Sequence, residues 1–275
     1  MLEATHDAST ESQEAPMVAP LFGLFEEEGP SEELKAKVRE VHRRLCAVYE
    51  CPIAYFHSLD PMSELISSLL SHRTRNAQSG RAFKALRAKY PHWEAVRDAP
   101  TADVQATIEA ANWPEQKAPR IQAVLRRITE LRGGLNLDFL GEMPVREARA
   151  WLEDLPGVGP KTSAAVLSFS TLRKRALPVD SHHHRVALRL GLISEKVAVG
   201  PSHEVLEKLI PPEWGPQEVY DHHEVLMLHG QKCCTFKNPA CARCAVLELC
   251  PTGQARMAAG IRETAVQREG EPTEG

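Results

Sequence analysis

Chemistry concentrates in three stretches of this 275-residue chain. The first is Leu155-Pro156-Gly157-Val158-Gly159-Pro160-Lys161-Thr162. Two glycines around one apolar residue permit a tight hairpin and close approach by another backbone. A helix opening near Pro160 would then point free N–H groups outward, a ready phosphate site. Such a helix-hairpin-helix grips a DNA backbone through Gly157, Val158 and Gly159 without reading sequence. The competing reading is an ordinary turn between helices; the flanking Leu-Pro and Lys favour DNA. Lys161 would sit where a helix dipole disfavours positive charge, and burial would act in the same direction; a neutral amine is a nucleophile. A phosphate-contacting or simply solvated lysine is the alternative.

The second stretch is Pro178-Val179-Asp180-Ser181-His182, followed by Arg185-Val186-Ala187-Leu188-Arg189-Leu190-Gly191. Asp180 is placed to cap a helix, and a carboxylate there could also activate a nucleophile or steady a developing cation. His182, His183 and His184 are consecutive, so on a helix they diverge and cannot share a metal. The third stretch is Cys234-x6-Cys241-x2-Cys244-x5-Cys250. Four thiolates can enclose a soft metal centre. Four-cysteine zinc sites favour two separated Cys-x2-Cys pairs and only one is present, whereas iron–sulfur cubanes tolerate unequal loops. Cys233 is the spare, and Cys46 and Cys51, far away, read as core thiols. Seven cysteines, odd in number and lopsided, fit a reducing, cytoplasmic compartment better than a disulfide framework.

These groups need a scaffold, and the sequence offers a helical one. Hydrophobic residues make up 43% and charged residues 25%, as in soluble globular chains, and the length suffices for a real core. No apolar run approaches ~20 residues and no basic-then-apolar leader opens the chain, which argues against membrane span and secretion signal. Ser31 with Glu32 and Glu33 marks a helix start, continued at helical spacing by Leu34, Val38, Val41 and Leu45. Pro61 opens a second helix with Leu65, Ile66, Leu69 and Leu70 on one face. Helical patterns follow at 79–90, 101–111, 116–131, 144–153, 161–170, 183–190, 202–210 and 216–229, and no β alternation is visible. The fold expected is all-α, with about ten short helices. Residues 1–30 hold seven acids and no Lys or Arg, reading as a disordered leader, while 31–250 carry 30 bases against 26 acids. A basic body allows a nucleic-acid partner. The stretch 252–275 has few large apolar residues and reads as a mobile tail.

From about 31 to 251 the three motifs, in this order and spacing, resemble the endonuclease III family of helix-hairpin-helix base-excision DNA glycosylases. His222-His223-Glu224-Val225-Leu226-Met227-Leu228-His229-Gly230 is similar to the family's helix before the first ligand cysteine. The resemblance implies two lobes about a central cleft: a helical barrel, 61–171, and an iron–sulfur domain, 31–60 plus 172–251. It implies Lys161 as the nucleophile on the sugar C1′, Asp180 as the assisting carboxylate, and a [4Fe–4S] cluster on Cys234, Cys241, Cys244 and Cys250. It further implies a bifunctional glycosylase and AP lyase, a monomer associated with the nucleoid, acting on damaged double-stranded DNA that carries oxidised pyrimidines or abasic sites. His182, Arg73 and Trp113 complete the expected DNA contacts. The last two depart from the family pattern: Arg73 stands for a gap-filling glutamine, and Trp113-Pro114, ahead of Lys117-Ala118, stands for a Leu-Tyr wedge. Trp113 is a capable stacking wedge or else a core aromatic. A non-catalytic iron–sulfur DNA-binding or redox-sensing protein on the same scaffold is the rival reading.

Overall fold

The computed structural model describes residues 29–260, so the expected leader up to 28 and the tail from 261 lie outside the described residues. Among the described residues there are twelve α-helices and no strand. They are α1 (Glu32–Tyr49), α2 (Pro61–Ser71), α3 (Asn76–Lys89), α4 (Trp93–Asp98), α5 (Thr101–Thr107), α6 (Pro114–Arg132), α7 (Val145–Glu153), α8 (Pro160–Phe169), α9 (Ser181–Leu190), α10 (Val199–Glu207), α11 (Pro216–Lys232) and α12 (Pro251–Ala258). None is long and apolar enough to cross a membrane.

Two apolar cores organise these helices. One draws on residues from Met62 to Ala176 and the other on α1 together with Leu177 to Cys250. In the first, α2 starts at Asp60, whose carboxylate accepts the Ser63 N–H, with Pro61 in the first turn. Its Leu65, Ile66, Leu69 and Leu70 are buried, each side chain worth about 1.5–3 kcal/mol. It packs on α8, whose buried face of Thr162, Ala164, Ala165 and Ser168 is small enough for close approach. In the second core Ser31 caps α1, and Val38, Val41 and Leu45 turn toward α11, the most deeply buried helix of that lobe.

An aromatic seam joins the lobes. Tyr220 of α11 stacks on Tyr55 and meets Phe169 of α8 edge-on. Arg173 donates to the carbonyls of His57 and Phe169 and lies over the Tyr55 ring. On another edge Arg149 of α7 pairs with Glu207 of α10.

Two expectations need correction, and one short helix falls outside the expected set. Cys46 and Cys51 are not separate core thiols; they form a disulfide. Glu50 takes a left-handed conformation at the end of α1 and turns the chain back, so that the two Cα atoms stand 4.9 Å apart, within bridging range. The stretch after Pro251 is not mobile throughout: α12 forms there because Pro251 suits a first turn, Cys250 Sγ accepts the Gly253 N–H, and Gly253 is buried. Short α4 carries its burial on Trp93 and Val96 alone, too little periodicity to read from sequence.

The cores also enclose imidazoles. His183, His222 and His223 are buried, with His42 and His203 beside the same core, and burial lowers the pKa of each, so all five stay neutral at pH 7. Unfolded, they titrate near 6.5. The unfolded state therefore binds more protons, and stability present above pH 6.5 is lost as pH falls toward the folded values. The melting temperature should drop by about ten degrees or more between pH 6.5 and 4, at about 2–4 °C per kcal/mol. A flat profile by calorimetry would contradict this account.

Candidate active site

The hairpin between α7 and α8 has the conformation its glycines allow. Gly157 lies at φ +76°, a conformation that calls for glycine, and a Cβ there would also displace the Arg120 side chain, whose Cδ would stand 2.7 Å away. The Val158 N–H donates to Leu155 O, closing the turn, and both side chains are buried as its anchor. Gly159 caps α8 in an extended conformation, and Pro160 takes the first turn. The amides of Lys161 and Thr162 are thereby left without intrahelical acceptors at the positive end of the helix.

Lys161 is exposed at the second position of α8, so it is not the buried amine that its place in the sequence allowed for. Its neighbour Thr162 is hydrogen-bonded through Oγ1 to His72 Nε2 at 2.9 Å, which ties the end of α2 to the start of α8. Burial first, then the cations Lys161, Lys117 and Arg120, push His72 down to about 4, so it is a neutral partner. Asp180 caps α9: its Oδ1 accepts the His183 N–H at 2.7 Å, and among the described residues Oδ2 has no donor. The cap and the free oxygen coexist.

Between α8 and α9 lies His223 of α11, against the ring of Phe169 and stacked on His183, whose N–H Asp180 accepts. The buried His223 imidazole is lowered to about 4 by desolvation, with Asp180 acting to raise it and Lys161 to lower it. Both charges thus bear on one side chain, although one comes from each lobe. Next to it Glu224 is buried with no hydrogen bond, and desolvation, then Asp180 and Asp221, raise it to about 7. A proton-holding carboxyl therefore stands beside Asp180. Sequence reasoning missed it, although an acid between His223 and Val225-Leu226 in an apolar helix was a signal.

Arg73 and Trp113 are exposed and adjacent. Both have positive φ, +48° and +53°, which costs a non-glycine residue about 1–3 kcal/mol and collects at functional positions. Asn112 connects them, its Nδ2 donating to Arg73 O at 2.7 Å and its N–H to Thr74 Oγ1. Beneath them Lys117, 6% exposed, donates through Nζ to Leu70 O, His72 O and Thr74 Oγ1. Burial, then Arg120, lowers Lys117 to about 8. Trp113 is 44% exposed, which excludes the core-aromatic reading. His182 is half-buried, with its Nδ1 accepting from Arg185 and its Cβ over Gly230, so it is held against α11 at the edge of the site.

Away from the cleft, Cys234, Cys241, Cys244 and Cys250 line one cavity with Cys233 and His229. Arg189 donates to Cys234 Sγ at 3.2 Å and the Gly253 N–H to Cys250 Sγ at 3.2 Å. Soft thiols met by N–H donors are the surroundings an iron–sulfur cluster requires, so these residues fit that group.

Residues 66–212 match the HhH-GPD superfamily of base excision DNA repair proteins. Endonuclease III of Bacillus subtilis is 32% identical over 213 residues, 77% of this chain and 89% of that protein. The chain belongs to the endonuclease III family of base-excision DNA glycosylase/AP lyases. Endonuclease III of Thermotoga maritima is 34% identical over 70% of this chain and 83% of its own length. A putative DNA glycosylase of Arabidopsis thaliana is 32% identical over 63% of this chain, which spans 57% of that protein. A solved trapped covalent intermediate of endonuclease III with DNA superposes with TM-score 0.67 at 27% identity, covering 81% of this chain and 98% of that one.

Within this endonuclease III scaffold the departures at Arg73 and Trp113 occupy one strained ridge beside the hairpin. An indole exposed there, on backbone held by Asn112 and Lys117, can insert where a nucleotide leaves the stack, an interaction worth about 1–3 kcal/mol. Trp113→Ala should therefore slow single-turnover excision by about tenfold. Its melting temperature should stay within about 2 °C of the parent, since an exposed side chain leaves little cavity. A large fall in melting temperature with unchanged excision by the folded fraction would sink the wedge assignment.

Proposed function

We propose that this protein excises oxidised pyrimidines from duplex DNA with Lys161 as nucleophile and then cleaves the strand 3′ to the abasic site, acting as a monomer on DNA in the cytoplasm. The observation that carries the reading is that Lys161 opens α8 directly after the hairpin and Asp180 caps α9, while His223 packs against Phe169 of α8 and His183 of α9.

The hairpin amides and the N-terminus of α8 hold a phosphate, which sets register but reads no base. Arg73 and Trp113 occupy the gap left when the nucleotide turns out of the stack, as enzymes acting on a base require. The Lys161 amine then attacks C1′ and the glycosidic electron pair leaves with the base. Asp180, with one oxygen spent on the α9 cap, uses the other to take the amine proton and to steady positive charge on the sugar. Loss of the sugar oxygen from C1′ as the ring opens gives the Schiff base. Removal of a C2′ proton then expels the 3′ phosphate by β-elimination. Neutral His72 and His223 add no further cation to those already near Lys161, which are Lys117 and Arg120.

Cys234, Cys241, Cys244 and Cys250 would hold a [4Fe–4S] cluster, tying the segment after α11 to the loop that leads into Cys250 at the start of α12. None of these thiols borders Lys161 or Asp180, so the cluster's part is structural. Protein from iron-replete cells should be yellow-brown, with broad visible absorption and about four irons per chain. Colourless protein would refute this.

Borohydride reduction on abasic and oxidised-pyrimidine duplexes tests the chemistry directly. The parent protein should be trapped on DNA. Lys161→Gln should lose trapping by a factor of about 1,000 or more, while its affinity for the duplex changes by less than about tenfold. Undiminished trapping in the variant would remove Lys161 from the reaction. Binding without any trapping by the parent would favour the non-catalytic reading.

A further inference from the structure

Cys233 has no role in the four-cysteine set, yet it faces the same cavity. With His229 and Cys244 it forms a group whose ligand atoms all lie within 4.8 Å of one another. Cys244 Sγ is 3.5 Å from His229 Nε2. On the far side of that ring the Tyr49 hydroxyl stands 3.3 Å from Nδ1. A hydroxyl oxygen accepting the Nδ1 proton leaves the Nε2 lone pair toward the thiols, the second-shell arrangement that fixes metal-binding histidines. His229 is buried and the two cysteines are half-buried, so the donors are shielded but reachable.

The spacing discriminates between metal groups. In a tetrahedral zinc site, with Zn–S about 2.3 Å and Zn–N about 2.0–2.1 Å, neighbouring donors stand roughly 3.3–3.8 Å apart. Donors within 4.8 Å need side-chain shifts of only about an ångström to close on one ion. The thiolates of a cubane sit on four different irons and cannot converge in this way. Two thiols and one imidazole, with a fourth position for water or Cys241, make a borderline-soft set suited to Zn²⁺.

We propose that His229, Cys233 and Cys244 form a single-ion zinc site that replaces the cluster when iron is scarce. Zn²⁺ displaces the two thiol protons and binds both thiolates and the imidazole. Because Cys244 belongs to both sets, zinc and cluster exclude one another, and Cys233 is the residue that lets the loop close without iron. The proposal rests on the reading that Cys234, Cys241, Cys244 and Cys250 hold a cluster, and the experiment separates the two.

The full-length protein is produced in iron-limited, zinc-supplemented medium and in iron-replete medium, and both metals are quantified in each preparation. Iron-limited parent protein should hold about one zinc per chain, and X-ray absorption at the zinc edge should show nitrogen together with two or three sulfurs. Cys233→Ser should lower zinc occupancy by about tenfold in iron-limited cells and keep parental iron in iron-replete ones. Cys234→Ser should do the reverse. A four-sulfur zinc shell, zinc retained equally by Cys233→Ser, or no zinc in the iron-limited parent would each overturn the proposal. The absorption measurement decides even where a variant fails to fold, and His229→Gln offers a second loss of ligand. Absence of iron from iron-replete parent protein would instead overturn the cluster reading.

Discussion

The burial of α11 is the constraint on which the rest depends. A helix packed on both sides in this way would ordinarily be apolar throughout, but α11 carries Asp221, His222, His223, Glu224 and His229 into the interior. Each must be matched or kept neutral, because an isolated buried charge is far costlier than a buried neutral group. Asp221 is matched, accepting the Ile53 N–H and the Gln217 amide. His222 and His223 stay uncharged, and Glu224, without a hydrogen-bond donor among the described residues, is raised to about 7. The polar groups left over from this accounting are His223 and Glu224 near Asp180 and His229 at the cysteine loop. One helix therefore joins the surroundings of Asp180 to the cysteine loop.

The strain beside the hairpin follows the same logic. Two non-glycine residues with positive φ persist only where the surroundings over-determine them. Here Lys117 does so with three donated hydrogen bonds, two of them to carbonyls at the end of α2. The carbonyls would otherwise lack partners where that helix stops. A single buried amine thus ends a helix, holds Thr74 for Asn112 to bond, and presents Arg73 and Trp113 outward. Truncating it would disturb the ridge without touching either exposed side chain.

What was legible in the sequence was whatever is encoded locally. The hairpin glycines, the Asp180 cap and the periodic faces of α1, α2 and α9 depend on neighbours within a turn or two, and the structure has them where the residues indicate. The Cys46–Cys51 bridge was not legible because it depends on one left-handed residue, Glu50, and the odd cysteine count argued against pairing. The end of α12 was misjudged because its anchors are a sulfur acceptor and a buried glycine rather than large apolar side chains. Lys117, Glu224 and the grouping of Cys233 with His229 are through-space facts. Their residue types stood in view, but only packing decides that a lysine is buried or that a spare thiol faces a histidine.

The groups of the proposed site are divided between the lobes. Lys161, the hairpin and the Arg73–Trp113 ridge lie with the first core; Asp180, His223 and Glu224 lie with the second. Their relative placement rests on remote contacts, chiefly Tyr220 between Tyr55 and Phe169, and Arg173 bridging Phe169 to His57. A slip along that seam would move α8 relative to α11, and in enzymes generally misplacement of about an ångström is enough to cost about a hundredfold in rate. Aromatic rings suit such a seam because they bury large areas with few rotatable bonds. The Arg149–Glu207 pair adds direction: Glu207 also accepts the Leu177 N–H, so the boundary between the two cores is fastened at the point where the chain passes from one to the other. The cysteine loop is already fastened to α9 without any metal, through Arg185 and Arg189, which donate to Cys234 O, Cys234 Sγ and Thr235 O.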